Sequence, residues 1–267
     1  MPELPEVETT RRGIAPHLTG QRVSDCVIRQ PRLRWPIPDL GHLRGHVVQG
    51  VRRRAKYLLI DFDHGTLIIH LGMSGSLRVL PCAHPPRQHD HFDLCLGKRC
   101  LRMHDPRRFG AVLWTDDALQ HPRLRGLGPE PLSDAFNGRH LQHHARGRKT
   151  AIKNLIMNGS VVVGVGNIYA SEALFMAGIH PQRASGRIAL PRLERLSDTI
   201  KHVLTHAIER GGTTLRDFLN ESGEPGYFAQ ELLVYGRAGE PCRQCGNLIL
   251  TRQIGQRASA YCPHCQH

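Results

Sequence analysis

The chain has 267 residues, a formal net charge of +13 and 40% hydrophobic residues. That length permits a sizeable core in one large domain or two ordinary ones. No apolar run reaches membrane-spanning length, and the charged N-terminus lacks the apolar stretch of a signal peptide, so we expect an intracellular chain. Excess Lys and Arg favour a polyanionic partner, because they displace counterions from phosphates; a solvated basic surface without a partner is the alternative.

The first predicted element is a helix from about Pro5 to Leu18. Proline suits a first helical position, and the glutamates around it complement the positive end of the helix dipole. Leu4, Val7, Ile14 and Leu18 form one apolar stripe.

Pro2 is not needed to start this helix. Removal of Met1 would leave Pro2 with a terminal secondary amine, whose pKa of roughly 7.7–8.0 provides a neutral, nucleophilic fraction near pH 7. Such an amine can attack a sugar C1′ and form a Schiff base, with Glu3 supplying or accepting protons. The alternative is simply a stiff start to the chain.

Short β-rich runs follow between Val23 and about Thr115. They read VSDCVI, YLLIDF, GTLIIHLG, HFDLCLG, CLRMH and GAVLW, separated by turn residues, which is typical of an antiparallel sandwich or barrel. Four scattered cysteines belong to this part of the chain, and we interpret them as small buried hydrophobic residues: Cys26, Cys82, Cys95 and Cys100.

After the segment GLGPEPLSDAFNG the apolar residues recur at helical intervals. The segments KTAIKNLIM and NIYASEALFMAGI predict two short helices joined by NGSVVVGVG, and a longer helix opens at Pro191 and closes before Gly211. A glycine-bearing turn between two helices can hold a phosphate on backbone N–H groups, but such turns are equally common in proteins that bind nothing.

The last four cysteines form two C-x-x-C pairs with sixteen residues between them. Cys242, Cys245, Cys262 and Cys265 have the ligand spacing of a tetrahedral structural zinc site. The alternative, a redox-active pair, explains one C-x-x-C but not two. The intervening GNLILTRQIGQRASAY predicts a β-hairpin with Arg257 at or beside its tip.

Several motifs occur together and in order along the chain: MPELPEVETTRRGI, RRAKYLL, HLGMSGSLR, HDH, DPRRFG, GVGNIYASE, PGYFAQELLVYGR and the paired C-x-x-C. In these motifs the chain resembles bacterial formamidopyrimidine-DNA glycosylases from end to end. The resemblance implies an α+β fold: a catalytic antiparallel β-sandwich domain (residues 1–130), a helix-two-turns-helix domain (131–232) and a zinc-finger hairpin (233–267). Double-stranded DNA would lie in the cleft between the domains.

The implied activity is excision of oxidised purines, chiefly 8-oxoguanine and formamidopyrimidines, followed by β,δ-elimination at the abasic site. A monomer acting on DNA in the bacterial cytoplasm, with one structural zinc ion, would carry it out. By match to the family motifs Pro2 is the nucleophile, Glu3 assists opening of the sugar ring, Lys56 serves acid-base chemistry, and Arg257 binds phosphate beside the lesion.

The damaged nucleotide must leave the duplex to reach a terminal amine, so the resemblance also implies residues that fill the gap. Met73 and Phe109 would replace lost stacking, and Arg107 would hydrogen-bond the widowed cytosine. Considered without the family resemblance, Met73 and Phe109 would more often be core residues. The turn-rich segments around them, however, favour a position at the surface. Further implied phosphate contacts are His70, His89, Arg148, Lys153 and Asn167.

Two details of the match are less regular. Arg148 stands where we expect lysine in relatives, which keeps the charge but changes the donor geometry. The segment NESGEPGYF (residues 220–228) is a candidate cover for the everted base.

Two alternatives stay open from the sequence. An endonuclease VIII-like enzyme for oxidised pyrimidines also begins with Pro-Glu, although Met73 and the RRF of DPRRFG favour the purine-specific relative. A non-catalytic zinc-ribbon DNA-binding protein would need the basic charge and the four cysteines but not a free Pro2.

Overall fold

A computed structural model describes residues 2–212 and 231–267, so the candidate covering segment 220–228 lies outside the described residues. The described residues form two compact units: residues 2–125 with 210–212, and residues 126–209 with 231–267. The three predicted domain boundaries stay predictions. Within the described part of the chain, no helix is both long and apolar enough to cross a membrane.

The first unit contains one helix and two antiparallel four-stranded sheets. Helix α1 spans Leu4–Leu18. Numbered along the chain, the strands are β1 Asp25–Ile28, β2 Gly50–Arg54, β3 Tyr57–Phe62, β4 Gly65–His70, β5 Ser76–Pro81, β6 Asp90–Leu96, β7 Arg99–His104 and β8 Ala111–Thr115, with a short 3-10 helix at Gly41–Leu43. One sheet has the order β1-β6-β7-β5 and the other β2-β3-β4-β8. The predicted α+β class and β-sandwich are confirmed, and the barrel alternative was wrong.

One hydrophobic core joins both sheets to the helix. Val7 and Ile14 of α1 belong to the same buried cluster as Ile60 of β3, Phe92 of β6 and Met103 of β7. Each fully buried side chain of this size contributes about 1.5–3 kcal/mol relative to an exposed one. The predicted stripe of α1 is confirmed, since all four of its residues are buried.

The sequence patterns missed strands β2 (GVRRR) and β5 (SLRVLP). Strand β2 was not predicted because three of its five residues are arginine, and charged side chains do not indicate a strand on their own. In the structure, Arg52 Nε lies 2.5 Å from Asp61 Oδ2 on the neighbouring strand, and Arg53 Nε lies 3.1 Å from Glu8 Oε2 on α1. Asp61 lies on the adjacent strand and Glu8 lies 45 residues away from Arg53, so the folded structure was needed to identify both partners.

Our interpretation of the four scattered cysteines was wrong for three of them. Cys100 is fully buried, but Cys26, Cys82 and Cys95 are only half-buried. Burial raises the pKa of the Cys26 and Cys95 thiols to about 12, so both stay protonated at neutral pH.

The second unit is helical. Its helices are α2 Gly138–Ala145, α3 Ile152–Ile156, α4 Asn167–Met176 and α5 Leu190–Glu209. The two short predicted helices and the long one are confirmed, and the apolar residues of α5 are buried as its periodicity indicated. Helix α2 was not predicted, because its sequence GRHLQHHA is rich in histidine. It begins where the Asn137 side chain accepts the His140 backbone N–H at 3.0 Å.

The chain ends in the predicted β-hairpin. Strand β9 spans Leu250–Ile254, β10 spans Arg257–Tyr261, and the two pair antiparallel. Gly255 occupies the turn with φ of +61°, a left-handed conformation that glycine adopts without steric cost. Arg257 is the first residue of β10 and lies directly after the turn, as predicted.

Candidate DNA-contacting and catalytic site

Two surface loops of the first unit present apolar and cationic side chains to one pocket. The pocket has a volume of about 920 Å³, and its lining includes His70, Met73, Arg107 and Phe109. Met73 is 37% exposed and Phe109 43% exposed, so neither is a core residue. The guanidinium carbon of Arg107 lies 5.0 Å from the centre of the Phe109 ring, within cation-π range. The structure therefore gathers four of the predicted site residues in one place.

A buried carboxylate, which the sequence analysis missed, holds these loops together. Asp105 is fully buried and accepts the Ser74 hydroxyl at 3.1 Å and the Gly110 backbone N–H at 2.7 Å. Ser74 follows Met73, and Gly110 follows Phe109, so one carboxylate positions both apolar side chains. The available signal was an Asp followed by Pro in DPRRFG, since Asp side chains often bond the backbone in turns.

The loops also approach each other backbone to backbone. Gly72 has φ of +66°, and a Cβ placed there would lie only 2.4 Å from the carbonyl carbon of Phe109. A residue with a side chain would meet both conformational strain and a steric clash at this position. Gly72 is therefore needed for the observed spacing of Met73 and Phe109.

His70 lies at the end of β4 as a neutral ring. Its Nδ1 accepts the Gly72 N–H at 3.0 Å, which leaves the ring proton on Nε2. Burial, with smaller contributions from the charges of Lys56 and Arg34, lowers the pKa of His70 to about 4. His70 can therefore offer a phosphate a hydrogen-bond donor, but it adds no positive charge at neutral pH.

Lys56 occupies the two-residue turn between β2 and β3. Its neighbour Ala55 has φ of +54°, and the Ala55 carbonyl accepts Arg53 Nη1 at 2.8 Å. Tyr57, the next residue, is the register partner of His70 on β4. The sheet thus places Lys56 near His70, in agreement with the effect of its charge on that ring.

Pro2 and Glu3 immediately precede α1. Both residues are buried, and Glu3 is only 2% exposed. The Glu3 backbone N–H donates to Glu6 Oε2 at 2.8 Å, which fixes the start of the helix. Pro2 and Glu3 therefore belong to a packed segment at the start of α1.

Two further predicted phosphate contacts, His89 in the first unit and Arg148 in the second, lie outside this pocket. His89 is half-buried with φ of +72°, and its carbonyl accepts the Asp105 N–H at 3.0 Å. Arg148 is exposed after α2, and its carbonyl accepts the Gly186 N–H at 3.0 Å. Neither residue lines the pocket described above.

In the second unit, two predicted phosphate contacts are tied to the strand that carries Arg257. Lys153 is only 1% exposed, and its Nζ donates to Ser171 Oγ at 2.9 Å and to Ser259 Oγ at 2.8 Å. Asn167, the first residue of α4, donates from Nδ2 to the Ala258 carbonyl at 3.1 Å. These hydrogen bonds make the buried Lys153 a link between helix α4 and strand β10 of the hairpin. Arg257, on the same strand, is exposed.

A second buried carboxylate fixes the segment ahead of the cysteines. Glu172 of α4 is 2% exposed and accepts three consecutive backbone N–H groups, those of Leu233, Val234 and Tyr235, at 2.7, 3.0 and 2.8 Å. The sequence analysis missed this residue. The signal was an acidic residue on an otherwise apolar helix, because a buried charge needs specific donors.

The four C-terminal cysteines form a compact ligand set. Their Sγ atoms all lie within 4.8 Å of one another, with Cys242 to Cys265 at 3.9 Å and Cys245 to Cys262 at 3.5 Å. Tetrahedral zinc with Zn–S bonds of about 2.3 Å separates its sulfur atoms by about 3.8 Å, so the observed arrangement fits this ion.

The surroundings act differently on the individual cysteines. Hydrogen bonds from Asn247 lower the pKa of the Cys245 thiol to about 6, whereas burial raises the pKa of the Cys262 and Cys265 thiols. The Cys265 backbone N–H points to Cys262 Sγ at 3.5 Å. Donors to sulfur orient and stabilise thiolate ligands around a metal. Cys242 and Cys262 also pack with Phe175 of α4, so the metal site is joined to the helical core.

A β-sandwich, a helical unit and a four-cysteine hairpin together define a zinc-finger protein of the helix-two-turns-helix class. Three family models match in order: the formamidopyrimidine-DNA glycosylase N-terminal domain at residues 1–112, the formamidopyrimidine-DNA glycosylase H2TH domain at 127–219, and the zinc finger found in FPG and IleRS at 239–267. The chain belongs to the formamidopyrimidine-DNA glycosylase family.

Full-length relatives agree with this assignment. The chain is 62% identical to formamidopyrimidine-DNA glycosylase of Methylococcus capsulatus and 58% identical to that of Stenotrophomonas maltophilia R551-3, each over all of both chains. Among solved structures, a Lactococcus lactis FPG mutant in complex with Fapy-dG-containing DNA has a TM-score of 0.93 at 33% identity over all of both chains. MutM (FPG) from Thermus thermophilus has a TM-score of 0.90 at 37% identity, covering 99% of this chain and 98% of that one.

Proposed function

We propose that this protein is a bifunctional DNA glycosylase and AP lyase that removes oxidised purines from double-stranded DNA in the bacterial cytoplasm, acting as a monomer. The full-length similarity to formamidopyrimidine-DNA glycosylases carries the proposal. The net charge of +13 supports a DNA partner, because cationic side chains bind the phosphate backbone. The zinc ion stabilises the hairpin that carries Arg257.

The reaction begins at Pro2 once Met1 has been removed. The free amine attacks C1′ of the damaged nucleotide, the base departs, and the sugar is held as an imine. The buried Glu3 protonates the opening sugar ring, and Lys56 takes part in proton transfer. The imine acidifies the sugar 2′ proton, so the 3′ phosphate and then the 5′ phosphate are eliminated. Arg257 binds phosphate during this second stage.

The exposed loop pair prepares the DNA for this attack. Met73 and Phe109 enter the gap left by the everted nucleotide and replace its stacking interactions. Arg107, which lies over the Phe109 ring, hydrogen-bonds the unpaired cytosine. The Nε2–H of His70 binds a neighbouring phosphate. Because the pKa of His70 is lowered to about 4, this contact is a hydrogen bond from a neutral ring at neutral pH and not an ion pair.

Borohydride trapping on an 8-oxoguanine duplex tests the covalent step. We expect the protein to become joined to DNA, and Pro2→Gly to reduce trapping at least about tenfold because the nucleophilic secondary amine is lost. Lesion binding should persist. Pro16→Gly makes the same change at an exposed position in the last turn of α1 and should leave trapping intact.

The outcomes separate the alternatives. Mass measurement of the intact protein establishes whether Met1 is absent, and full excision by a form with a blocked terminus contradicts the mechanism. Binding without trapping indicates a non-catalytic DNA-binding protein. Faster trapping on thymine glycol or dihydrothymine duplexes than on 8-oxoguanine indicates an endonuclease VIII-like preference.

A further inference from the structure

A second group of side chains with metal-ligating atoms lies in the first unit. His46 stands in the segment before β2, and Asp63 and His64 form the turn between β3 and β4. The Nδ1 atoms of His46 and His64 contact the same oxygen, Asp63 Oδ1, at 3.0 and 2.8 Å. One ligand atom from each residue lies within 4.8 Å of the other two. Two imidazole nitrogens and one carboxylate oxygen therefore converge.

The backbone already holds these ligands in place. The His46 N–H donates to the Leu43 carbonyl at 3.0 Å, and the His46 carbonyl accepts the Val23 N–H at 2.9 Å. Asp63 and His64 are held by the pairing of Phe62 with Gly65 on either side of the turn. Ligands that are ordered in advance lose little conformational entropy when an ion binds.

The site is open to solvent and has the donor set of a transition metal. The side chains of His46, Asp63 and His64 are 38%, 61% and 35% exposed, so an ion can enter and keep water as its remaining ligands. Imidazole ligands favour zinc, nickel and copper over magnesium and calcium. Metal–ligand bonds of about 2.0–2.2 Å place two ligand atoms about 2.8–3.1 Å apart when the bonds meet at right angles, as in an octahedral site. The Nδ1 atoms of His46 and His64 lie at this spacing from Asp63 Oδ1.

We propose that His46, Asp63 and His64 bind one divalent transition-metal ion, separate from the zinc in the cysteine site. The bound ion would connect the segment before β2 to the β3–β4 turn. His70 and its partner Tyr57 lie at the opposite end of the same two strands. Six residues of strand span about 20 Å, so the ion would lie away from the DNA-contacting loops and serve stability, not excision.

Trp114 provides a direct optical probe of this site. Its ring centroid lies 5.0 Å from that of His64 and 4.7 Å from that of His42. Nickel bound by His64 should therefore quench Trp114 fluorescence. The chain has two tryptophans, so Trp35→Phe removes the other signal.

The experiment titrates Ni²⁺ into the zinc-loaded Trp35→Phe protein, with zinc content checked by native mass spectrometry. We expect saturable quenching, and one fewer bound nickel ion per chain in His64→Ala than in the parent protein. His64→Ala should abolish the quenching, and Asp63→Asn should weaken nickel binding about tenfold or more because the anionic ligand is lost. Melting temperatures without nickel establish that both variants fold.

His202→Ala is the matched control. The His202 and His206 rings stack at 6.3 Å on α5 and offer nickel an alternative pair of ligands. This variant should retain full quenching of Trp114. Absence of saturable quenching at millimolar nickel overturns the proposal, as does quenching that persists unchanged in folded His64→Ala or Asp63→Asn.

Discussion

The loop pair of the first unit and the hairpin of the second unit both present an arginine to solvent, Arg107 and Arg257. They are supported differently. Hydrogen bonds to buried Asp105 and close backbone contact at Gly72 order the loops. The hairpin has a small core, and four thiolates and the buried Lys153 hold it in place. The chain alone can therefore order the first region, whereas the second depends on an ion.

The largest expected effect comes from breaking the metal site. Cys242→Ser should eliminate bound zinc and disorder the hairpin, since structural zinc binding is worth on the order of 10 kcal/mol in small fingers. DNA affinity should fall roughly tenfold or more as the Arg257 contact is lost. Metal analysis and fluorescence anisotropy measure the two effects. Cys82→Ser in the sandwich should change neither, and normal DNA affinity in zinc-free Cys242→Ser would contradict the assignment.

Removal of Lys153 tests the other support of the hairpin. Lys153→Ala deletes two hydrogen bonds to hydroxyl groups and leaves a cavity, so the free energy of unfolding should fall by about 2–4 kcal/mol. Lys149→Ala, at an exposed position nearby, should change it by less than about 0.5 kcal/mol. Urea unfolding provides the measurement. Equal effects of the two substitutions would mean that Lys153 is not a structural link.

Gly72→Ala tests whether backbone contact orders the loop pair. Strain at φ of +66° together with the clash against Phe109 should destabilise the first unit by about 1–3 kcal/mol and slow excision. Gly20 has φ of +79° with nothing within 4 Å of an added Cβ, so Gly20→Ala experiences strain alone. Thermal unfolding and single-turnover excision should show a larger loss for Gly72→Ala. Equal losses of stability and excision rate in Gly72→Ala and Gly20→Ala would mean that the close backbone contact between Gly72 and Phe109 is not important.

The smallest expected effect concerns His70 and pH. Its pKa of about 4 in the folded protein lies below the reference value of about 6.5 expected when unfolded. The unfolded state therefore binds the extra proton first, and stability is lost as pH falls from about 6.5 toward 4. Substitution His70→Gln should make urea stability less dependent on pH in that window. An unchanged slope in His70→Gln would mean that the ring of His70 is not buried in its neutral form.

Local periodicity predicted the elements whose apolar stripes are long. Helix α5 followed from residues such as Leu193, Ile200 and Val203 at helical intervals, and the terminal hairpin followed from the strand-like residues on both sides of the turn-like IGQR. Strand β2 and helix α2 were missed, because their arginines and histidines have hydrogen-bond partners on other elements: Asp61 on β3, Glu8 on α1 and the Val161 carbonyl. No local pattern indicated that His91 of the HDH motif is only 8% exposed, with its Nε2 2.9 Å from the Asp105 carbonyl oxygen.

The amino-acid sequence by itself determined the zinc ligand set, the helical faces and the family motifs, since each depends on residues close together in the chain. Tertiary structure decided which polar groups are buried and what they hold. Asp105 joins two loops, Glu172 fixes the segment before the cysteines, and Lys153 reaches Ser259 across 106 residues of sequence. Burial and hydrogen bonding of such groups arise from long-range packing, which no local pattern encodes.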